Sequence, residues 1–479
     1  MDGQLRDKVA SGVAWSMAEK VGTMLLQLAV SLTILRLLNP AIMGVIAIPT
    51  AFLAVAIVIA DSGFSQALIR KGTPTADDYK SVFAFNVGVA LVLYGVLVAL
   101  AGSIARFYDM PEITRIAPVF FLQLPLSAAC AIQNTIFVRT FRFALLSKVT
   151  FASWFIAGMV AIGLALAGFG IWCIVVQRVL QASVRALLLW WLSDWRPCGK
   201  CSRRPLREMA PYSFSLLATD FISTLYNKVP QIFLGKLYPQ ETLGSYEQAV
   251  KLKDQPATSA VQNVTFPALA KIKDDAPKLA ESYRQIVMVV AYAMFPVMLG
   301  LSAIAEDMFA VFLGGEWMAT VPYFEAVCLA GLFYPLGLVA YNVLKVKSGG
   351  ALIVKLEVAK KVMMSVVFAV TIPVSVQAVI WGLVVIAFCE MAINFFATTR
   401  FTSFGAGRFV RTVLPTLLVA GAMYAVVQLT ALAVPGNALL RLLAEVAAGV
   451  GSYVLLSALF RLEAFREVVA LARRQFIRK

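Results

Sequence analysis

Apolar runs, each about as long as one bilayer crossing, follow one another along almost the whole chain, and nearly all the charge lies between them. About 20 consecutive apolar residues are needed to cross a hydrocarbon core of about 30 Å as a helix. Of the 479 residues, 60% are hydrophobic and only 14% charged. No soluble fold hides that much apolar surface, so the chain is a polytopic membrane protein. The runs predict spanning helices at 14–34, 43–60, 81–104, 116–137, 150–167, 171–192, 212–234, 286–304, 321–341, 362–374, 379–396, 413–432 and 439–460. The crossing at 362–374 begins near Lys355, with Lys355, Lys360 and Lys361 at its cytoplasmic end. The start of the chain lacks a short apolar segment with a small-residue cleavage site, so the first helix is expected to act as an uncleaved signal-anchor.

The stretch 243–270 is too polar to be recognised by hydropathy, yet two arguments make it cross. The first is charge parity. If it crosses, the N-terminus and the tail bearing Arg461, Arg466, Arg473, Arg474, Arg478 and Lys479 both lie in the cytoplasm. If it does not, every later loop inverts and the basic tail is exported, against the positive-inside rule. The second is an internal repeat. Leu38-Asn39-Pro40 precedes Gly44, and Leu237-Tyr238-Pro239 precedes Gly244; Phe64-Ser65-Gln66-Ala67-Leu68 precedes Arg70, and Phe266-Pro267-Ala268-Leu269 precedes Lys271. The offset stays near 200 residues, although short apolar motifs can also coincide by chance. Six helices separate the copies, so the halves share one orientation and form a parallel repeat.

The expected fold is therefore all-α, with about 14 transmembrane helices in two six-helix lobes and a C-terminal helix pair. The N-lobe is 1–195, a basic cytoplasmic linker 196–208, the C-lobe 209–400, and the last two helices with a basic cytoplasmic tail 401–479. Both termini are expected in the cytoplasm.

Several function classes are excluded. The net charge of +16 would suggest nucleic acid in a soluble protein, but here the positive-inside rule accounts for it. The chain has no histidine, the commonest general base and metal ligand. No glycine-rich phosphate loop follows a strand and no segment is long enough for a catalytic domain, so an enzyme is not expected. Cys198 and Cys201 form half of a zinc-like pair with nothing to complete it. No metal, no nucleic-acid partner and no cofactor is expected.

The charges inside the predicted crossings include four lysines and four acids, Glu19, Lys20, Asp220, Lys228, Glu247, Lys251, Lys253 and Asp254. A charge at mid-bilayer costs roughly 2.5–3.5 kcal/mol on insertion scales and normally faces a cavity, a partner or a pathway. Ser16, Lys20, Gln27 and Ser31 share one helix face, as do Asp220, Ser223 and Asn227, and Glu247, Lys251, Asp254 and Thr258. These stripes are expected to line a cavity between lobes; structural pairing, such as Glu247 with Lys251, is the alternative. Lys253 points about 120° away from its helix's stripe. Arg178 and Arg185 share a face of another helix. Arg178 lies deeper and suits bidentate phosphate contact, with pairing to a distant carboxylate as the equal alternative, whereas Arg185 can snorkel to the surface. Glu390 and Glu445 are isolated acids that fit packed interfaces, with proton relay as the alternative for each.

The opening RDKVASGVAWSMAEKVGTMLLQLAVSLTILRLLNPAIMGVIAI and the segment LGSYEQAVKLKDQPATSAVQNVTFPALAKIKDD resemble Wzx-type and colanic-acid-exporter-like flippases. These are polysaccharide transporters of the multidrug/oligosaccharidyl-lipid/polysaccharide exporter superfamily, and the resemblance covers essentially the whole chain. It implies a bacterial inner-membrane protein that moves a polyprenyl-diphosphate-linked oligosaccharide between leaflets, with membrane lipids and polysaccharide polymerase or assembly proteins as partners. It also implies a cationic cavity, which Lys20, Lys228, Lys251, Lys253 and Arg178 would supply here. Glu19, Asp220, Glu247 and Asp254 would balance charge and couple transport to protons or sodium. The balance of four lysines against four acids departs from a plainly cationic cavity. A lipid II flippase and a multidrug or organic-cation exporter are the competing readings within the superfamily.

Overall fold

The computed structural model describes residues 22–140, 142–254, 269, 272, 275–348 and 350–467, and among them every regular element is a helix. In the first half these are α1 Gly22–Leu37, α2 Pro40–Asp61, α3 Phe64–Arg70, α4 Ala76–Tyr108, α5 Glu112–Phe120, α6 Gln123–Arg139, α7 Phe143–Leu166, α8 Ile171–Leu192, α9 Arg203–Leu237 and α10 Gln240–Asp254. Then come α11 Ala276–Ala303, α12 Ala305–Phe312, a 3-10 turn Gly315–Thr320, α13 Val321–Lys347, α14 Gly350–Thr371, α15 Val376–Thr398, α16 Ala406–Ala433 and α17 Ala438–Leu459. Ten of the described spans are long and apolar enough to cross a membrane, α5 with α6 and the 3-10 turn with α13 each counting as one. Helices α1, α9, α10 and α14 stand where the sequence predicts the other crossings. Their polar residues account for the gap in α9, α10 and α14: α14 alone carries Lys355, Glu357, Lys360 and Lys361. The polar crossing expected at 243–270 is helical over Gln240–Asp254; beyond that, only Leu269 of it is described.

Local chemistry sets the helix ends. Asn39 caps α2 by accepting from the Ile42 N–H at 3.1 Å, and Pro40 sits in the first turn, where its missing N–H costs nothing. Thr75 and Asp78 form a reciprocal capping box at the start of α4. At their other ends, α2 and α4 stop at Ser62 and Asp109, both left-handed, with φ of 49° and 57°.

The chain divides into two compact units, Met1–Gly244 and Ser245–Lys479. The division falls after α9, later than the linker at 196–208, because α9 packs on α2, α3 and α4. The linker itself is docked on α4: the Lys200 N–H donates to Asp77 at 2.7 Å and the Ser202 N–H to Ser81 at 3.0 Å.

In the first unit, α2 touches α4, α6 and α9. Its N-terminal half crosses the first turn of α10 backbone against backbone. A Cβ added to Gly44 would lie 1.9 Å from the carbonyl oxygen of Gln240, and one added to Gly244 would lie 1.9 Å from the carbonyl oxygen of Pro40. Each glycine is the fifth residue of its helix and meets the first residue of the other. Such reciprocity is what two repeat-related helices crossing on a two-fold axis produce.

In the second unit, α13 is the innermost element, packed by α11 and α15. The core holds Tyr283, Met298, Val339, Phe395, Ala420 and Tyr453. Helix α17 is tied at both ends by an arginine–carboxylate pair. Arg441 grips Asp307 of α12. Beyond the other end, Arg284 of α11 holds Glu463 through two bonds of 2.7 and 3.0 Å.

Two outcomes are expected. Gly44→Ala and Gly244→Ala should each destabilise by about 1–3 kcal/mol or more through overpacking, seen as a lower melting temperature in detergent; unchanged melting would mean that the helices do not touch. The arginines hold the carboxyls of Asp307 and Glu463 below their ordinary range. A depressed carboxylate contributes its full stability above its unfolded pKa and loses it as pH falls through the folded value. Limited proteolysis should therefore cut around α17 first below about pH 4. The nearly buried Asp307 pair should matter more than the half-exposed Glu463 pair.

Candidate functional site

In the first unit, the α2–α3 turn places an acid that the sequence reading left out. Ser62 and Gly63 both take positive φ, 49° and 71°. The turn presses so closely on α9 that a Cβ on Gly63 would lie 2.7 Å from the Ser213 carbonyl oxygen. This puts Asp61, the last residue of α2, beside α9. Asp61 accepts a hydrogen bond from Ser65 and stands within electrostatic reach of Asp220. Asp220 is two turns beyond Ser213 on α9, so contact and acid share a face. The apolar run ends at Ala60, which makes Asp61 look like the start of a loop. Its spacing of four from Ser65, across Gly63, was the available signal.

Elsewhere on α9, Asp220 and Asn227 are exposed, and Ser223 and Lys228 half-buried. A carboxylate exposed at that depth of a crossing must face water rather than lipid. Lower on the same helix, the buried Gln231 donates to the Ala47 carbonyl of α2 at 2.5 Å.

The two arginines of α8 have different surroundings. Arg185 donates to Asn134 of α6 at 3.1 Å. Arg178 is half-buried and has no ion pair or hydrogen bond among the described residues. Arg139 is different again: at the end of α6 it donates to the carbonyls of Leu68, Lys71 and Gly72, closing the C-terminus of α3. Glu19 and Lys20 lie outside the described residues.

In the second unit, Glu247 and Lys253 are half-buried and Lys251 is exposed. Lys253 stands within electrostatic reach of Cys328 on α13. The side chain of Asp254 lies outside the described residues.

A second group of cations is sharper than the sequence suggests. Lys360 does not sit at a wet helix end: it is buried, paired with Glu357 and 4.8 Å above the Tyr341 ring. Lys345 lies 4.5 Å from the same ring centroid. Glu390, which looks isolated in sequence, stands within reach of Lys360 and Lys361. Only the Lys360 side of the pair is buried, at 7% exposure against 37% for Glu357, so solvent screening makes it worth less than a fully buried pair. Lys360 looked peripheral because α14 opens with several charges, and only its packing on α13 shows which of them turns inward.

No three acids or cysteines are grouped to hold a metal among the described residues. The chemistry on offer is ionic: amines and guanidiniums that hold oxyanions, and acids that exchange protons or cations.

Residues 34–322 match the family described as "Polysaccharide biosynthesis protein". The chain is 25% identical over 331 residues to the succinoglycan biosynthesis transport protein ExoT of Rhizobium meliloti (strain 1021), covering 68% of this chain and 67% of that one. It is 22% identical over 352 residues to the lipopolysaccharide biosynthesis protein WzxC of Escherichia coli (strain K12), covering 70% and 69%. Its fold is that of the lipid II flippase MurJ in an inward closed conformation, with a TM-score of 0.73 at 12% identity, over 95% of this chain and 100% of that one.

The arginines can be sorted by experiment. Arg139→Gln strands carbonyls and should cost about 1–3 kcal/mol, whereas Arg178→Gln leaves no partner unsatisfied and should melt like the parent. Side-by-side melting of the purified variants measures both; equal losses would refute the distinction.

Proposed function

We propose that this chain, which belongs to the polysaccharide biosynthesis protein family, carries a polyprenyl-diphosphate-linked oligosaccharide across a bacterial inner membrane. Transport runs from the cytoplasmic to the periplasmic leaflet by alternating access, with both termini in the cytoplasm. The names of ExoT and WzxC support the substrate class, since both belong to the making of surface polysaccharides.

The observation that carries the reading is Arg178, a guanidinium within an apolar helix and without a protein partner among the described residues. Leaving such a group in the membrane is costly, and a diphosphate offers the bidentate oxyanion that it lacks. Lys228 in the first unit, and Lys251 and Lys253 in the second, are the further cations assigned to substrate. Asp61, within electrostatic reach of Asp220, gives the first unit two neighbouring acids that serve as the uptake site for a proton or sodium ion. Taking up one positive charge also tips a balanced set of residues toward the anionic substrate. The chemistry is transport, and no bond of the substrate is made or broken.

Lipid II is the second reading, since it is also a polyprenyl diphosphate and the fold is that of MurJ. A deletion strain separates the two. Loss of a surface glycan with accumulation of its lipid-linked repeat unit supports the proposal, and accumulation of peptidoglycan precursor supports the alternative.

Arg178→Gln and the double variant Lys228→Gln/Lys251→Gln should each reduce export about ten- to hundredfold, the cost of one or two charged hydrogen bonds, at unchanged membrane abundance. Normal glycan export by both would remove the site assignment. Asp220→Asn should abolish dependence of export on the ion gradient; retained dependence would place coupling elsewhere.

A further inference from the structure

The first turn of α16 stands over a cavity of about 280 Å³ in the second unit, lined by Arg284, Arg408, Arg411, Thr416, Met288 and Leu462 among others. Its charges are unequally matched. Arg284 is held by Glu463 and by Glu281, at 2.7 and 2.8 Å. Arg408 and Arg411 are exposed and have no side-chain ion pair or hydrogen bond among the described residues. Three guanidiniums therefore line the cavity against one carboxylate, Glu463.

The helix start adds to the imbalance. Helix α16 begins after Gly405 without a side-chain cap and has no acid in its first turn. Its first N–H groups and the positive end of its dipole therefore face the same space as the two free arginines. Two cations at the positive end of a helix repel its dipole, and an anion seated among them relieves both. The floor is suited to more than a bare ion: Met288 and Leu462 are buried and apolar, and Thr416 is buried beside them. Farther along α16, Leu414 and Leu418 stand three and seven residues beyond Arg411, on its face of the helix, and are exposed, a surface for acyl chains. The positive-inside rule puts this end of the helix at the cytoplasmic leaflet, where anionic phospholipid is available.

We propose that this cavity binds the headgroup of an anionic phospholipid, its phosphate between Arg408 and Arg411 and its acyl chains along α16. The site is separate from the proposed substrate cations and does not depend on what the protein transports.

The test is lipid titration of the purified full-length protein in detergent, followed by native mass spectrometry and by melting temperature. Phosphatidylglycerol, phosphatidylcholine and inorganic phosphate are the probes. Phosphatidylglycerol should be retained and should raise the melting temperature, while phosphatidylcholine should do neither. Arg408→Gln and Arg411→Gln, both at exposed positions, should each weaken retention about fivefold, the value of one basic residue at an anionic surface. Arg115→Gln, an exposed charge in the other unit, should leave it unchanged. Equal retention by both α16 variants, or equal retention of phosphatidylcholine, would overturn the site. Stabilisation by inorganic phosphate that phosphatidylglycerol does not exceed would replace the lipid with a free anion.

Discussion

The crossing of α2 and α10 at Gly44 and Gly244 is the contact on which the first unit turns. No side chain fits between these helices, because each glycine stands against the carbonyl of the other helix's first residue. Close backbone approach fixes helix positions far more tightly than side-chain packing does, since small residues leave no rotamer to yield. The crossing sits where the repeat places equivalent turns, one introduced by Leu38-Asn39-Pro40 and the other by Leu237-Tyr238-Pro239. It holds the end of α9 near α2, and farther along α9 the Gly63 turn makes a second backbone contact at Ser213. Asp61 and Asp220 lie beside that second contact, so the acid pair follows from the backbone geometry.

The polar groups of the membrane region fall into two kinds. Some are spent on structure: Arg139 on three carbonyls, Arg185 on Asn134, Gln231 on Ala47, and Arg441 and Arg284 on the carboxylates that tie α17 at its ends. Others have no such work. Arg178 has no described partner, and Asp61 faces another acid. In a medium where an unsatisfied charge is expensive, the second kind marks where water or substrate must reach. This division, rather than the number of charges, separates the groups assigned to transport in the proposal from those spent on scaffold.

Much of this was legible in the chain. Period and length of the apolar runs located the helices, α9 and α14 among them, and α10 is helical where charge parity and the repeat required a crossing that apolarity could not identify. Lys228, Lys251 and Arg178 were legible as charges within crossings. Asp61 was not, because an acid at the end of an apolar run looks like a loop residue until Gly63 folds it onto α9. Lys360 was not, because α14 opens with several charges and nothing in their order tells which one meets Tyr341. The linker at 196–208 marks a real change of composition, yet the compact unit continues through α9, whose partners are distant in sequence.

By itself the sequence determined an all-helical, many-span membrane protein with most of its charge between the apolar runs, turn motifs recurring near 200 residues apart and a set of charges within the crossings. Those properties rest on hydrophobic length and on residue order, both of which act locally along the chain. Only the tertiary structure decided which charges are neutralised, which are left over, and that Gly44 and Gly244 meet. These depend on distances between residues far apart in the chain, and in a low-dielectric medium a few ångströms separate a paired ion from one that needs a ligand.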